Sequence, residues 1–385
     1  MKVKCIDTFV EFQDLRESWN DLLAQSAADS PFMTHEWFAT WWRCFGKKAQ
    51  LHILQIEEDR KLVALVPLML VKKTLSGTSL RILSFLANNH SGPTHWILGP
   101  KADEAVETVL QYLFRDFHHW DVLKLEYLPK ESLSYRTLTA VLKKRGYLFA
   151  IKDSFQTMYV PISGTWDSYL ASRSSKFRYT VRKKAREIEK VSGFEVNRFT
   201  RLEEVDGFME MIFNIERKTW KEQAETSITA RPELMNFYRS LAKVGNERGW
   251  LYFGLLKLFG QEAAYEYALN YKSKIYSMKI SYDPAFAQYS PGQVLKAYIL
   301  ESAFEDGKKE NDLLGNDEDW KQGYTSEARP LVTLYVFNWR PLPMLLYLLG
   351  FRMKEALQHR RWSEGLVQRL RRTEGFRIMK SLMTF

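Results

Sequence analysis

One order of elements occurs twice along this chain of 385 residues: a short strand, two helical segments, antiparallel strands, a helix and further strands. In the first half KCIDTF (4–9) reads as a strand, and FQDLRESWNDLLAQS (12–26) and THEWFATWWRCFG (34–46) as helices. The second of these is capped by Thr34 and stopped at Gly46. LHILQIEE (51–58) and KLVALVPLMLVKK (61–73), separated only by Asp59 and Arg60, read as a hairpin, and SLRILSFL (79–86) as another strand. Helices over 103–117 and 133–146 then alternate with strands over 121–128, 147–155 and 157–162. The second half has a helix over 166–191, a strand over 194–200 and helices over 202–220 and 231–245. A three-stranded meander (250–283), a helix opening at Ser-Pro-Gly and ended by Gly307, the strand ENDLLG (310–315) and LVTLYVFN (331–338) complete it. This order defines an α+β protein with mixed, mainly antiparallel sheets flanked by helices, repeated at domain scale. The boundaries expected are 1–160, 161–339 and a basic, amphipathic helical tail over 340–385.

A hydrophobic content of 45% with 26% charged residues is that of a folded chain. The first residues show no secretory pattern, and the longest apolar stretch, LPMLLYLLGF, is about half of what a bilayer span needs. Cys5 and Cys44 suggest neither a disulfide framework nor a metal site. The expected location is cytoplasmic, with peripheral contact at the inner face of the membrane through the basic tail. The net charge of +10 is concentrated: residues 172–201 and 340–385 each carry ten Lys/Arg against three Glu. Such segments favour an anionic partner, whether membrane, nucleic acid or phosphate-bearing substrate, and serve equally as solvated helix faces. The stretch SSKFRYTVRKKAREIEK places Phe177, Val181, Ala185 and Ile188 on one helix face, with Arg178, Arg182 and further basic residues on the rest.

AQYSPGQVLKAY (287–298) predicts a sharp helix start, with Ser290 as N-cap, Pro291 at the first position and Gln293 completing a capping box. Gly292 is the odd residue, because a first-turn glycine weakens a helix by about 0.5–1 kcal/mol.

On SPFMTHEWFATWWRCFG (30–46), LVALVPLML (62–70), SYDPAFAQYSPGQVL (281–295) and NDLLGNDEDWK (311–321), the chain resembles tandem acetyltransferases of the GNAT superfamily. More narrowly it is similar to the CelD-like family of cellulose and exopolysaccharide production, a relative of the FemAB peptidyltransferases. The resemblance implies two GNAT-like domains, the first degenerate, and a donor site at the start of the Ser-Pro-Gly helix. There Gln288, Tyr289, Ser290, Pro291, Gly292 and Gln293 would hold the pyrophosphate of acetyl-CoA or another acyl-CoA. Helix N-terminal amides favour an anion, and a glycine lets phosphate approach the backbone. QYSPGQ has a single glycine and no arginine, which leaves room for another activated donor.

Acyl transfer to an amine needs a base, an oriented donor and a proton for the leaving group. Glu266, set among apolar and aromatic neighbours in AAYEYALNY, is the first candidate base; Asp283 and Asp312 are the others, and Tyr282 is a candidate acid. Asp283 also suits a turn before Pro284, and Glu266 a solvent-facing strand position. The resemblance implies substrate binding by Asp312 and Lys321, and Trp320, with Arg178 and Arg182 of the basic helix, are further candidates for holding the acceptor. No nucleophile elbow, P-loop, metalloprotease motif or dinucleotide fingerprint is present, and no metal is expected. Three readings follow. The first is an acyl-CoA-dependent N-acyltransferase acting on an amine of a sugar or envelope precursor. The second is a FemAB-like transferase drawing on aminoacyl-tRNA, the one case in which nucleic acid is a partner. The third is a non-catalytic protein binding an anionic polymer or membrane.

Overall fold

Residues 50–85 fold as their apolar patterning predicts. β2 (Gln50–Glu58), β3 (Lys61–Leu75) and β4 (Thr78–Phe85) form an antiparallel meander. Asp59 and Arg60 turn the first hairpin with φ of 49° and 64°, the left-handed pair that a two-residue turn requires. The computed structural model describes residues 1–75, 78–219, 227–348 and 351. The chain divides into two units, Met1–Ser154 with Pro330–Phe385, and Phe155–Arg329.

In the first unit the strand order is β1 (Lys2–Ile6), β2, β3, β4, β6 (Val122–Pro129) and β13 (Ala328–Phe337), with the short β5 (Ile97–Leu98) on β3. Every pairing is antiparallel except β4 with β6. On one face α4 (Ala102–Gln111) and α5 (Leu133–Arg145) bury Val106, Val109, Leu138 and Leu142 against Leu54, Val66, Leu83 and Leu123. On the other face Leu80, Ile82, Val122, Tyr335 and Phe337 receive Leu346 from the helix Pro341–Tyr347. The helix expected over 12–26 breaks at Leu15 into α1 (Phe9–Asp14) and α2 (Arg16–Ala24), while Thr34 caps α3 (His35–Phe45) by accepting the Trp37 amide. Segment 331–338, expected to finish the second half, pairs with β6 through Leu331–Phe337. Its apolar residues fix that the strand is buried, but periodicity carries no information about which strand it joins. Most of the tail, residues 349–350 and 352–385, lies outside the described residues.

The second unit follows the same plan. Its order is β7 (Phe149–Pro161), β12 (Glu310–Asp312), β11 (Lys274–Tyr282), β10 (Gln261–Tyr271), β9 (Phe253–Leu258) and β8 (Glu195–Phe199). β11 and β12 run parallel; the remaining pairs are antiparallel. The helix expected over 166–191 is two, α6 (Trp166–Ser172) and α7 (Ser175–Ile188), because Ser174 starts a new helix by capping the Phe177 amide. α8 (Val205–Arg217) and α9 (Pro232–Arg248) pack on one face of the sheet through Phe208, Phe213, Phe237 and Tyr238. α10 (Pro291–Glu305) lies on the other face, its Leu295, Ile299 and Ala303 against Leu256 and Ala264. The architecture is the α+β class that the element order predicts.

Candidate active site

The parallel ladder of β11 and β12 is only three pairs long, from Lys274–Glu310 to Tyr276–Asp312. β11 continues to Tyr282, whereas beyond β12 Leu314 and Gly315 adopt φ of 48° and 59° and turn the chain away. ENDLLG is therefore strand only as far as Asp312. Where the ladder ends, a buried ionic network is assembled from four elements. Lys296 of α10 is 1% exposed and donates to Glu266 Oε1 on β10 (2.8 Å), Ser277 Oγ on β11 (2.7 Å) and Asn311 Oδ1 on β12 (2.7 Å). Ser277 in turn donates to Glu266 Oε1 at 2.6 Å and accepts from Asn311 Nδ2 at 3.0 Å. All three ammonium protons thus have acceptors, which is what makes a buried lysine tolerable. Glu266, the first candidate base, is 0% exposed, so the solvent-facing alternative is excluded. One of its oxygens is held by Lys296 and Ser277, and Oε2 has no partner.

Asp312 and Lys321 stand on the two sides of the turn that follows. Asp312 is buried; its Oδ1 accepts from Thr157 Oγ1 and from the Leu314 amide, both at 2.9 Å, and Oδ2 faces Arg329 at 3.5 Å. Burial raises its pKa above the ordinary 3.8, against the opposing pull of these donors and of Arg329. The folded protein therefore binds this proton more tightly than the unfolded chain. The stabilisation is complete below pH 3.8 and is lost as pH rises through the folded-state value. Asp312→Asn, which cannot titrate, is expected to gain stability relative to the wild type as pH rises across that window, whatever its constant offset. Unfolding measured as a function of pH checks this, and a pH-independent difference would refute it.

Lys321, on α11 (Asp319–Gln322), is buried and donates to the carbonyls of Leu314 (2.6 Å) and Asn316 (2.7 Å). Burial lowers its pKa, with Glu318 and Asp312 acting in the opposite sense. Trp320 is half-buried beside it, the Lys321 Nζ lying 5.5 Å from the indole centroid. Tyr324 completes the cluster; burial raises its pKa, and the neighbouring Glu266 charge adds to the effect.

The start of α10 differs from its sequence reading. Ser290 has φ 51° and ψ 47°, makes no side-chain cap, and follows a 3-10 turn over Pro284–Tyr289. The capping box with Gln293 is absent because a left-handed residue points its hydroxyl away from the first-turn amides. The Ser290 amide bonds to Ala287 O, and the Gln293 and Val294 amides both return to Ser290 O. Gln293 Oε1 instead accepts from Lys184 Nζ of α7. A Cβ at Gly292 would come 3.3 Å from the ring of the exposed Tyr282, so a larger residue there would push that ring aside by a few tenths of an ångström. Asp283 N-caps the 3-10 turn through the Ala285 amide (3.0 Å) and pairs with Lys218 at 2.7 Å. Gln288 is exposed; Tyr289 and Pro291 pack into the base of the turn.

On α7, Phe177, Val181, Ala185 and Ile188 share the inward face, as their spacing predicts. Arg178 is used to cap α6, donating to the carbonyls of Ala171 and Arg173, both at 2.7 Å. Arg182 is exposed and lies 3.6 Å from Asp167. Thus Glu266, Asp312, Lys321 and Trp320 gather around the end of the β11–β12 ladder, whereas Tyr282, Asp283 and residues 288–293 line the end of β11 and the start of α10. Sequence reasoning missed Lys296. The available signal was a lysine between Val294, Leu295, Ala297 and Ile299 in a helix that is apolar nearly all round.

Residues 175–322 match the family model of an acetyltransferase (GNAT) domain. The matched residues lie within the second unit, and this domain type marks the protein as an enzyme. Solved structures share the fold. FemX is 14% identical, with 90% of this chain and 100% of that chain covered at a TM-score of 0.59. The C-terminal domain of a protein designated a lysylphosphatidylglycerol synthetase, from Agrobacterium fabrum, is 11% identical over 91% of this chain and 97% of that chain, with a TM-score of 0.52. L-PGS from Bacillus licheniformis is 11% identical over 89% and 97%, with a TM-score of 0.51. No curated protein matches. Among the described residues no group of His, Cys, Asp and Glu could hold a metal ion, and no helix is long and apolar enough to cross a membrane.

Proposed function

We propose that the second unit transfers an acyl group from an anionic, activated carrier to an amine. The observation that carries this is the interrupted parallel ladder of β11 and β12, with Lys296, Asp312 and Lys321 buried where it ends. In this reading the donor's carbonyl lies beyond Tyr276 and Asp312, where fixed positive charge stabilises the oxyanion that forms when the amine attacks. The first donor considered is an acyl-CoA, its pyrophosphate at residues 288–293. The acceptor is an amine of a sugar or envelope precursor, and the narrower CelD-like affiliation belongs to this reading alone.

A specific observation favours the second donor, aminoacyl-tRNA. The Ser290 and Gln293 amides are already engaged, which leaves a poor cradle for a pyrophosphate. Meanwhile α7 exposes Lys176, Arg182, Lys183 and Arg186, a strip suited to a polyanion. Among the structures that share this fold is one designated a lysylphosphatidylglycerol synthetase, whose name supports an aminoacyl donor. Calorimetric titration with acetyl-CoA and with a non-hydrolysable aminoacyl-tRNA analogue separates the two. Acetyl-CoA binding abolished by Gly292→Trp is the result expected of the first donor. Binding of the tRNA analogue that weakens steeply with salt, with none of acetyl-CoA, is expected of the second. Binding of neither ligand overturns the proposal.

A further inference from the structure

The helix Pro341–Tyr347 and Leu348 after it carry no polar side chain except the Tyr347 hydroxyl. Helical spacing divides these residues into two faces. Leu342, Leu346 and Tyr347 turn inward and pack with Leu80, Tyr335 and Phe337 of the first unit. Pro341, Met344, Leu345 and Leu348, spaced as i, i+3, i+4 and i+7, form the opposite face and are exposed, the last three by 41%, 46% and 50%. A helix that is apolar all round belongs in an interior, and this one has an interior on one side alone.

Trp339, immediately before the helix, extends the apolar surface. It is 56% exposed, and its ring stacks on Tyr147 with centroids 5.4 Å apart and leans on Phe114 at 4.9 Å. Basic groups surround that stack. Arg115 and Arg145 lie close enough to Tyr147 to oppose the rise that burial gives its pKa. Arg145 is paired with Glu107, and Arg340 with Asp121 at 3.8 Å, whereas Arg115, Lys143 and Lys144 are exposed. Within residues 112–116, 143–147 and 339–348 the sequence holds Asp116 as its only acid, against Arg115, Lys143, Lys144, Arg145 and Arg340. Exposed apolar side chains inside a positive rim, with a tryptophan at the boundary, match a bilayer whose interior is apolar and whose surface is anionic. The same charge disfavours a second copy of this chain as the cover, because two positive rims would face each other.

We propose that the face formed by Trp339, Met344, Leu345 and Leu348 docks the first unit on an anionic lipid bilayer, its apolar side chains dipping below the headgroups while the basic rim meets lipid phosphates. Docking then belongs to the folded unit and not to the charge of residues 352–385 alone. Among the described residues no helix is long and apolar enough to cross a membrane, so this contact is peripheral. It is independent of the acyl-transfer reading, which concerns the second unit.

The test uses the full chain with vesicles of phosphatidylglycerol and phosphatidylcholine in equal parts. Co-sedimentation is expected to show binding to these vesicles and little to phosphatidylcholine alone. Combining Met344→Gln, Leu345→Gln and Leu348→Gln, which leaves the charge unchanged, is expected to weaken binding by about tenfold or more. Full affinity in that triple variant would make the basic tail the anchor and overturn the proposal. A wild type that does not bind the mixed vesicles would overturn it too. If that wild type is a dimer which the glutamines dissociate, a second copy covers the face; if it is a monomer which they destabilise, residues 352–385 do. Quenching of tryptophan fluorescence by lipids brominated on the acyl chain needs no change to the helix. Quenching is expected to persist in Trp362→Phe and to fall in Trp339→Phe. Quenching that Trp339→Phe leaves unchanged would overturn the docking face even where the triple variant does not fold.

Discussion

Replacing Lys296 by methionine is expected to destabilise the second unit by about 3–5 kcal/mol, the usual cost of removing one partner from a buried ion pair. The side chain is nearly the same size, so packing is not the cause. The loss comes from leaving Glu266 Oε1, Ser277 Oγ and Asn311 Oδ1 without the donor they now share. Adding Glu266→Leu to Lys296→Met should restore most of the stability, because an apolar pair needs no desolvation of charge. Urea unfolding of the two variants checks both statements. A single-variant loss under about 1 kcal/mol would mean that the pair is not held dry. The double variant should fold yet transfer no acyl group if the lysine charge serves the reaction, so stability and turnover separate the two roles of one residue.

Lys321→Met carries the second large effect. Lys321 Nζ grips the carbonyls of Leu314 and Asn316 and so holds the turn in which Leu314 and Gly315 have positive φ. A β-branched or bulky residue rarely accepts that conformation without outside support, and leucine adopts it here under the clamp of one ammonium. We expect kcat/KM to fall by about 10²-fold or more, the scale seen when one preorganised donor is lost from an oxyanion site. Stability should fall by only about 1–3 kcal/mol, for two buried carbonyls left without their donor. Lys321→Arg is not expected to rescue. Nζ is buried with its two carbonyl acceptors at 2.6 and 2.7 Å, a geometry that a longer, planar guanidinium does not reproduce. Steady-state kinetics beside unfolding decides the matter; wild-type turnover in Lys321→Met would reduce the residue to a brace.

The fold was legible where one face of an element is apolar and the other is not. The hairpin at residues 50–75, the meander at 253–282 and the inward face of α7 all follow from spacing. What spacing cannot convey is pairing. β13 reads as a strand, but nothing in LVTLYVFN indicates that β6 is its neighbour. The site was half legible for the same reason. Asp312, Lys321 and Glu266 stand out by residue type, yet the Lys296 that neutralises Glu266 is 30 residues away in sequence, and helix periodicity counts a lysine as surface. Ser290 misled because residue identity favours an N-cap, while the preceding 3-10 turn forces the left-handed conformation.

The course of the backbone between the two units bears on how the protein is made. Residues 155–329 interrupt the first unit, whose sheet receives β13 only after they have been synthesised. While the ribosome works through that interval, the first unit has β4 in place but lacks the partner for the other edge of β6, and VLKLEYLP presents an apolar, unpaired edge. The first unit's sheet is therefore completed only after the inserted residues have been synthesised. Chains truncated near residue 329 should accumulate as insoluble material even though every residue of the second unit is present, because an exposed edge strand recruits other copies.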